Sequence, residues 1–399
     1  MVSRLDVLVS GASIAGPALA FWLRRAGHRV TVVERAPKLR GAGQNVDVRG
    51  TGREVLRRMG LEGVALAQTT GELGIRFVDD RDVVLAEFPA GQDDSSGATA
   101  QLEILRGALS AILVDAGASD VDYEFGEQIA EVTQRRDKVD VTFAGGTRRR
   151  FDLLVVSEGA QSSTRTLVFG QVPMRRLGLY TAYGCIDRHA DDDQWWTWFN
   201  AVGGRSITIR PDNVGTTRVG LGFLSRPKEY EGMTPARQRD ALRAEFAGVA
   251  WKAPRILDAL ATTRELYFDD LTQVRAPDWV RGRVVLLGDA AWCSTPVSGM
   301  GTTLALTGAY VLAGELTSAS RIDEGLRAYQ TRMRPMVDRA QKLPPGAPRL
   351  AHPKSRAGLA VLRAAVRVAG SRPAREAARR LPSTPTKSST LQRYPLLDG

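Results

Sequence analysis

The chain has 399 residues and 43% hydrophobic content, enough to bury a large core and to build two closely packed domains. Its formal net charge is +11, but residues 345–399 hold eleven Lys/Arg against two acids, so the rest of the chain is nearly balanced and a nucleic-acid role for the whole loses its support. Cys185 and Cys293 are the only cysteines, which argues against a disulfide framework and fits a reducing cytoplasm, and the lack of an uninterrupted 18-residue apolar run argues against integral membrane association.

The N-terminus has a faint signal-peptide look, with Arg4 before an apolar stretch ending at Leu23, but Asp6 interrupts it. Residues 5–10 instead read as a buried strand, 14–26 as a helix and 29–34 as a second strand, a βαβ unit that implies a parallel sheet. Residues 52–59 read as helical, 74–88 as strand pieces around the turn at 79–82, and 102–116 as a helix. Residues 121–156 read as a strand meander, and 178–225 as a largely antiparallel sheet with turns at Gly203-Gly204 and Asp212-Asn213. Helical patterns follow at 234–247 and 253–261, then a parallel-type strand at 283–288 and a long helix from about 300 to 316. The chain thus leaves its first domain and returns to it. Pro344, Pro345 and Pro348 mark a boundary, and 356–380 is again helical with Arg356, Arg363 and Arg367 on one face. That segment reads as a helix packed across the domains with a solvated basic face, or alternatively as a membrane-surface helix. The last 18 or so residues read as poorly ordered.

Three segments carry chemistry. In the first, Gly11-Ala-Ser13-Ile14-Ala15-Gly16 follows a strand and opens a helix, and Glu34 ends a strand 18 residues after Gly16. Gly11 permits the tight turn, Gly16 the close helix–strand approach, and the helix N-terminus offers N–H groups to a pyrophosphate, so the segment points to a Rossmann-like dinucleotide site. Ser13 stands where a central glycine is usual, and Glu34 is placed to accept from a ribose. In the second, the buried strand of Phe151-Asp152-Leu-Leu-Val-Val leads to Glu158-Gly159 and a hydroxyl cluster at Ser162-Ser163-Thr164. Read alone, it is a strand with a capped turn. In the third, a strand delivers Asp289, and a loop containing Pro296, Gly299, Met300, Gly301 and Thr302 starts a helix. Asp289 can accept from a sugar-alcohol hydroxyl, and the helix N-terminus would stabilise negative charge on a reduced ring.

Together, in this order and spacing, these segments resemble the group A flavoprotein monooxygenases over residues 3–340, most of all the small members that act on polycyclic natural products, such as the tetracycline-degrading monooxygenases. The resemblance implies one FAD, NADPH or NADH as co-substrate, O2, and a C4a-hydroperoxyflavin that hydroxylates an aromatic or polycyclic small molecule. It implies an α/β fold: a discontinuous FAD-binding domain (1–73, 101–172, 273–343), a second α+β substrate domain with a mainly antiparallel sheet (74–100, 173–272), and a basic C-terminal helix and tail (344–399). It puts Gly11, Ser13 and Gly16 on the pyrophosphate, with Ile14 and Ala15 between them in the cofactor site, Glu34 on the ribose and Arg35 beside the adenine. Arg40 would serve the approach of the nicotinamide, Asp47 would contact FAD, and Arg106 would lie near the ribityl and phosphate. Glu158 and Gly159 would serve both nucleotides, Asp289 the ribityl chain, and Gly299 to Thr302 the isoalloxazine, with Pro296 also in the cofactor site. No residue is assigned as catalytic, because the flavin carries the bond-making chemistry. Glu158 and Trp292 depart from the family's usual aspartate and histidine.

On the substrate side, Asp193-Gln-Trp195-Trp196-Thr-Trp198-Phe199 is the most aromatic stretch, and strand alternation puts Trp196 and Trp198 on one face and Trp195 on the other. Trp196 and Trp198, with Tyr183 and Arg210, are the substrate candidates; sheet core is the plainer reading of the tryptophans. Arg40 and Arg106 could equally be surface or capping residues, and Asp47 a turn cap. Trp292 could wall a pocket or fill core. His28, His189 and His352 show no metal spacing and read as structural or surface residues. A flavin-dependent halogenase is disfavoured, because Trp196-Thr-Trp198-Phe199 runs into Asn200 and Ala201 rather than Ile-Pro. A flavin reductase or cyclase, or a non-enzymatic flavin-binding protein, remains as an alternative, and the oligomer is expected to be a monomer or homodimer.

Overall fold

The short apolar runs Asp6–Ser10, Leu153–Val156 and Val284–Leu286 bury nearly every residue, as strands covered on both faces must. They form a parallel sheet with Arg29–Glu34 and Asp122–Phe125, in the spatial order 284–286, 153–156, 6–10, 29–34, 122–125, and Val280–Arg281 closes one edge antiparallel. The computed structural model describes residues 4–41, 43–91, 99–263, 266–344, 346–380 and 391–398. The helix Ala15–Arg25 covers the sheet, and the almost wholly buried helix Gly301–Ser318 packs between it and the helix Ile322–Ala340. That last helix has no counterpart in the sequence reading. Its mean composition is polar and Pro335 lies inside it, yet Leu326, Tyr329, Met333 and Val337 form a buried stripe at helical spacing.

The second sheet has seven strands in the order Tyr267–Val274, Met174–Asp187, Thr216–Leu224, Arg205–Pro211, Trp195–Ala201, Gly74–Val78, Val84–Pro89. All pairs are antiparallel except Trp195–Ala201 with Gly74–Val78. One face carries Tyr180, Ala182, Phe199, Ile207, Val219, Leu221 and Phe223 into a core with the helices Pro235–Glu245 and Ala253–Thr262. The opposite face is turned toward the parallel-sheet unit.

Two expectations are corrected. Residues 102–116 are not helical throughout: Glu103–Leu105 is a strand that pairs with Asn45–Asp47, and the helix runs from Arg106 to Asp115. The β-strand is set by that partner some sixty residues away rather than by local pattern. The end of the chain is also ordered in part. Of the last residues, 381–390 and 399 lie outside the described set, but Leu391, Tyr394 and Leu397 are buried in the same core as the helix Gly301–Ser318. Gly314 makes the room, since a Cβ there would lie 2.2 Å from the Tyr394 ring. Tyr394 Oη donates to Glu315 Oε1 (2.7 Å), and Tyr310 Oη donates to Asp398 Oδ2 (2.7 Å), which Arg58 also reaches at 3.2 Å.

Candidate active site

The three sequence segments meet at the C-terminal ends of the parallel strands. Gly11 has φ +110°, and a Cβ there would lie 2.5 Å from Ser157 O, just before Glu158-Gly159. A Cβ on Gly16 would lie 2.0 Å from Gly11 O. A Cβ on Gly288 would meet that of Ala15 at 3.0 Å, which brings Asp289 beside the first turn of the helix Ala15–Arg25. Ser13 is exposed, and Ile14 at the helix N-cap gives no side-chain cap, so the first N–H groups of the helix face the open side. Glu34 takes the N–H of Ala12 at 3.1 Å and that of Ala36 at 3.0 Å, with Arg40 3.8 Å away, while Arg35 is exposed.

Glu158 is heavily engaged. Ser10 Oγ (2.5 Å) and Thr164 Oγ1 (2.6 Å) donate to Oε1; Ser162 Oγ (2.6 Å) and the Thr164 N–H (3.1 Å) donate to Oε2. The carboxylate therefore splices two parallel strands to the helix Ser163–Phe169, and Gly159 beside it has φ +84° with nothing near its Cβ position. Trp292 is core: it is 1% exposed and its ring lies 4.5 Å from that of Trp279.

Asp289 and Arg106 are exposed, yet burial among surrounding protein raises the Asp289 carboxyl and lowers the Arg106 guanidinium from their ordinary pKa values. Both side chains reach water, but much of the space around them is protein. Arg106 is further lowered by Arg40, and it lies across from Gly43, whose Cβ would fall 2.8 Å from Arg106 Nε. The loop after Asp289 holds Thr295 at φ +72°, an uncommon conformation for a β-branched residue, with a buried Oγ1 that has no protein partner. Pro296 follows in a 3-10 turn; Gly299 (φ +62°) and Gly301 have open space at their Cβ positions; Met300 caps and Thr302 lies in the first turn of the helix Gly301–Ser318.

Beside this loop lies the face of the seven-stranded sheet that does not pack on helices Pro235–Glu245 and Ala253–Thr262; its edge strand meets the loop where the Val274 N–H donates to Cys293 O (3.2 Å), and Tyr267 interacts electrostatically with Arg106. Register puts Tyr267, Tyr183, Gly220, Thr208, Trp198 and Phe77 in one row on that face. Tyr183 and Tyr267 stack with centroids 6.1 Å apart, and Trp196 and Trp198 lie 5.1 Å apart, while Trp195 on the other face carries Arg76 over its ring. Gly220 keeps the row low: a Cβ there would meet Thr208 Oγ1 at 2.6 Å and Tyr183 at 3.2 Å.

Arg210 does not stand free in this cleft. Its guanidinium lies 4.1 Å from the Trp196 ring centroid and is held by Glu72 (2.5 Å), Glu103 (3.4 Å) and Asp47 (3.5 Å). Arg49 stands 3.8 Å from Asp47, and Thr70 donates to Glu103. Asp47 and Glu103 come from the short antiparallel pair and Arg210 from the large sheet, so the cluster joins the two units. Burial, with Glu103 and Asp47 nearby, pushes Glu72 up to about 7 despite Arg210. Glu103 is raised as well, also by burial first. Three carboxylates against two guanidiniums leave room for one proton in the cluster.

Residues 4–343 match the family described as FAD binding domain. The chain belongs to that family. This FAD-binding chain is 37% identical to the flavin-dependent monooxygenase eupH of Phoma sp, over 90% of each chain, and 35% identical to the FAD-dependent monooxygenase asL4 of Sarocladium schorii, over 81% of this chain and 78% of that one. Among solved structures, tetracycline destructase Tet(51) covers 98% of this chain and 99% of its own at 28% identity and TM-score 0.81. The protein is a flavoprotein monooxygenase of group A, with FAD as its cofactor.

Sequence reasoning missed several residues of this FAD-binding protein's cleft. Tyr267, 55% exposed and stacked on Tyr183, and Thr208 with Gly220 become visible only once strand register is known. Glu72 and Glu103 looked like ordinary acids; Glu103 lay inside a stretch read as helix. No group of three or more His, Cys, Asp or Glu is gathered for a metal among the described residues, both cysteines are free, and no described helix is long and apolar enough to cross a membrane.

Proposed function

We propose that this monooxygenase uses NADPH or NADH and O2 to hydroxylate an aromatic or polycyclic small molecule held between the Asp289–Thr302 wall and the aromatic face of the large sheet. The observation that carries the reading is the nearness of these two walls, one charged and glycine-lined, the other aromatic and hydroxyl-bearing: Tyr267 interacts electrostatically with Arg106 and Cys293, and the Val274 N–H donates to Cys293 O at 3.2 Å. The residues present fit FAD. Gly11 and Gly16 clear the way to uncapped N–H groups, Thr295 Oγ1 is buried without a protein partner, and Gly299 and Gly301 leave bare backbone. In this reading Gly11, Ser13 and Gly16 hold the pyrophosphate, Glu34 the ribose, Asp289 and Arg106 the ribityl chain and phosphate, and Gly299 to Thr302 the ring.

FAD, when bound, supplies electron transfer from NAD(P)H and activation of O2. The chain's own residues bind, orient and exclude water. Tyr183, Tyr267, Trp196 and Trp198 offer π-faces to a planar ring, and Thr208 offers a hydroxyl between them. Arg210 holds Trp196 in place from the seam rather than reaching into the cleft. The likeness to tetracycline destructases supports a polycyclic, oxygen-bearing substrate.

The test is NAD(P)H consumption by the yellow holoprotein across a set of phenols and polycyclic phenols. The reading expects one class to stimulate consumption and to yield a product heavier by one oxygen atom. Bound FAD that neither nucleotide reduces, with any of these compounds present, contradicts it.

A further inference from the structure

The strand Arg205–Pro211 runs along the aromatic face with Ser206, Thr208 and Arg210 on the cleft side, so Ser206 and Arg210 are separated by about 14 Å at the usual rise per residue. The middle of this track is open and its ends are shut. Thr208, Tyr183, Trp196 and Trp198 are half-buried, whereas Ser206 is 3% and Arg210 is 9% exposed. The carboxylate cluster closes the Arg210 end.

The other end is closed by the segment that follows the short helix Ala347–Ala351. Asn200 Nδ2 donates to Ala351 O (2.9 Å), the Gly204 N–H to Pro353 O (3.1 Å) and the Gly203 N–H to Lys354 O (2.9 Å). Between these ties His352 sits on the sheet. Its Nδ1 lies 2.9 Å from Pro348 O and its Nε2 3.0 Å from Ser206 Oγ. A carbonyl oxygen only accepts, so Nδ1 carries the hydrogen and Nε2 accepts from the serine hydroxyl. Gly222 leaves the seat for the ring, since a Cβ there would fall 2.7 Å from Ser206 Oγ and 3.2 Å from His352 Nε2. Burial lowers the imidazole's pKa, in keeping with a neutral ring.

We propose that His352, pinned to Ser206, is the end stop of the substrate track and fixes the length of fused-ring molecule that this enzyme accepts. The inference rests on reading the aromatic face as the substrate site, and it deepens that reading by naming a specificity-determining residue. It assigns His352 no part in the chemistry. A planar substrate lies with its long axis along the strand, over Thr208 and Gly220, and meets the imidazole edge at the end away from Arg210.

The experiment uses the FAD-loaded full chain and a linear series of phenols with two, three and four fused rings. Binding is read from the change each phenol makes in the oxidised flavin's visible absorbance, and turnover from kcat and KM. The wild type should show a cut-off in the series. H352A should move that cut-off up by one ring, with a gain of about tenfold in affinity for the first excluded member and little change for shorter ones. H352Q, which can keep the bond to Ser206, should retain the wild-type cut-off. Should H352A fail to fold, S206A removes the pin with little change of volume and should move the cut-off in the same direction. An unmoved cut-off, or an equal loss for every member, overturns the end stop while leaving the substrate face intact. If no member perturbs the flavin in the wild type, the reading of the aromatic face falls and the end stop falls with it.

Discussion

Asp289 and Arg106 put opposite charges close together at a solvent-exposed site, and each is shifted toward its neutral form by the surrounding protein. A ligand that hydrogen-bonds Asp289 would relieve that cost. Asp289→Ala should therefore weaken FAD binding by about ten- to a hundredfold, the worth of one hydrogen bond to a charged group, as read by flavin retained after gel filtration and by titration of the apoprotein. Glu72 makes a separate prediction. Its folded pKa of about 7 lies above the ordinary 4.5 of a glutamic acid, so the stability of the protonated form is fully present below about 4.5 and is lost as pH rises through 7. Glu72→Gln should flatten the fall in thermal midpoint between pH 5 and 8, since an amide keeps a neutral partner for Arg210 without the proton. Of these residues, the glycines and Asp289 were legible from motif spacing. Glu72 was not, because its neighbours Asp47, Glu103 and Arg210 are assembled only by the fold.

At the scale of elements, the terminal segment 391–398 carries more than its composition suggests. Tyr394 is 1% exposed, fills the notch above Gly314 and hydrogen-bonds Glu315, which Arg332 also holds at 2.5 Å. Tyr394→Ala should destabilise by about 3–5 kcal/mol, as large aromatic truncations in cores do, measured by denaturant unfolding. As a chain terminus the segment reads as poorly ordered; what anchors it is a notch in a helix some eighty residues earlier. The strand Glu103–Leu105 was hidden in the same way by dependence on a distant partner. The helix Ile322–Ala340 is different, because its buried stripe of Leu326, Tyr329, Met333 and Val337 stands in the sequence, diluted by the arginines between those positions. Elements with strong local pattern, such as the βαβ unit and the helix after Asp289, were readable from the start.

At the scale of the molecule, the described residues 346–380 and 391–398 make contacts with both units. The segment 351–354 seals the large sheet, the helix Arg356–Gly370 runs along the edge strand Val84–Pro89 with Arg363 3.2 Å from Asp80, and 391–398 returns to the parallel-sheet unit. Removing residues 345–399 should thus lower both the thermal midpoint and the FAD retained on purification. The sequence reads 356–380 as a helix packed across the domains and the final residues as poorly ordered, since charge and prolines are visible there and the docking site of 391–398 is not. The same limit held for function: three motifs disclosed a flavin site, whereas the wall facing it needed strand register to be seen. The central claim is that the two walls form one oxygenating cleft. Turnover of a polycyclic phenol under isotopically labelled O2, with the product analysed by mass spectrometry, tests it most directly. The account predicts one labelled oxygen in the product, with NAD(P)H consumed in step. A product without label, or peroxide as the sole fate of the label, would contradict it.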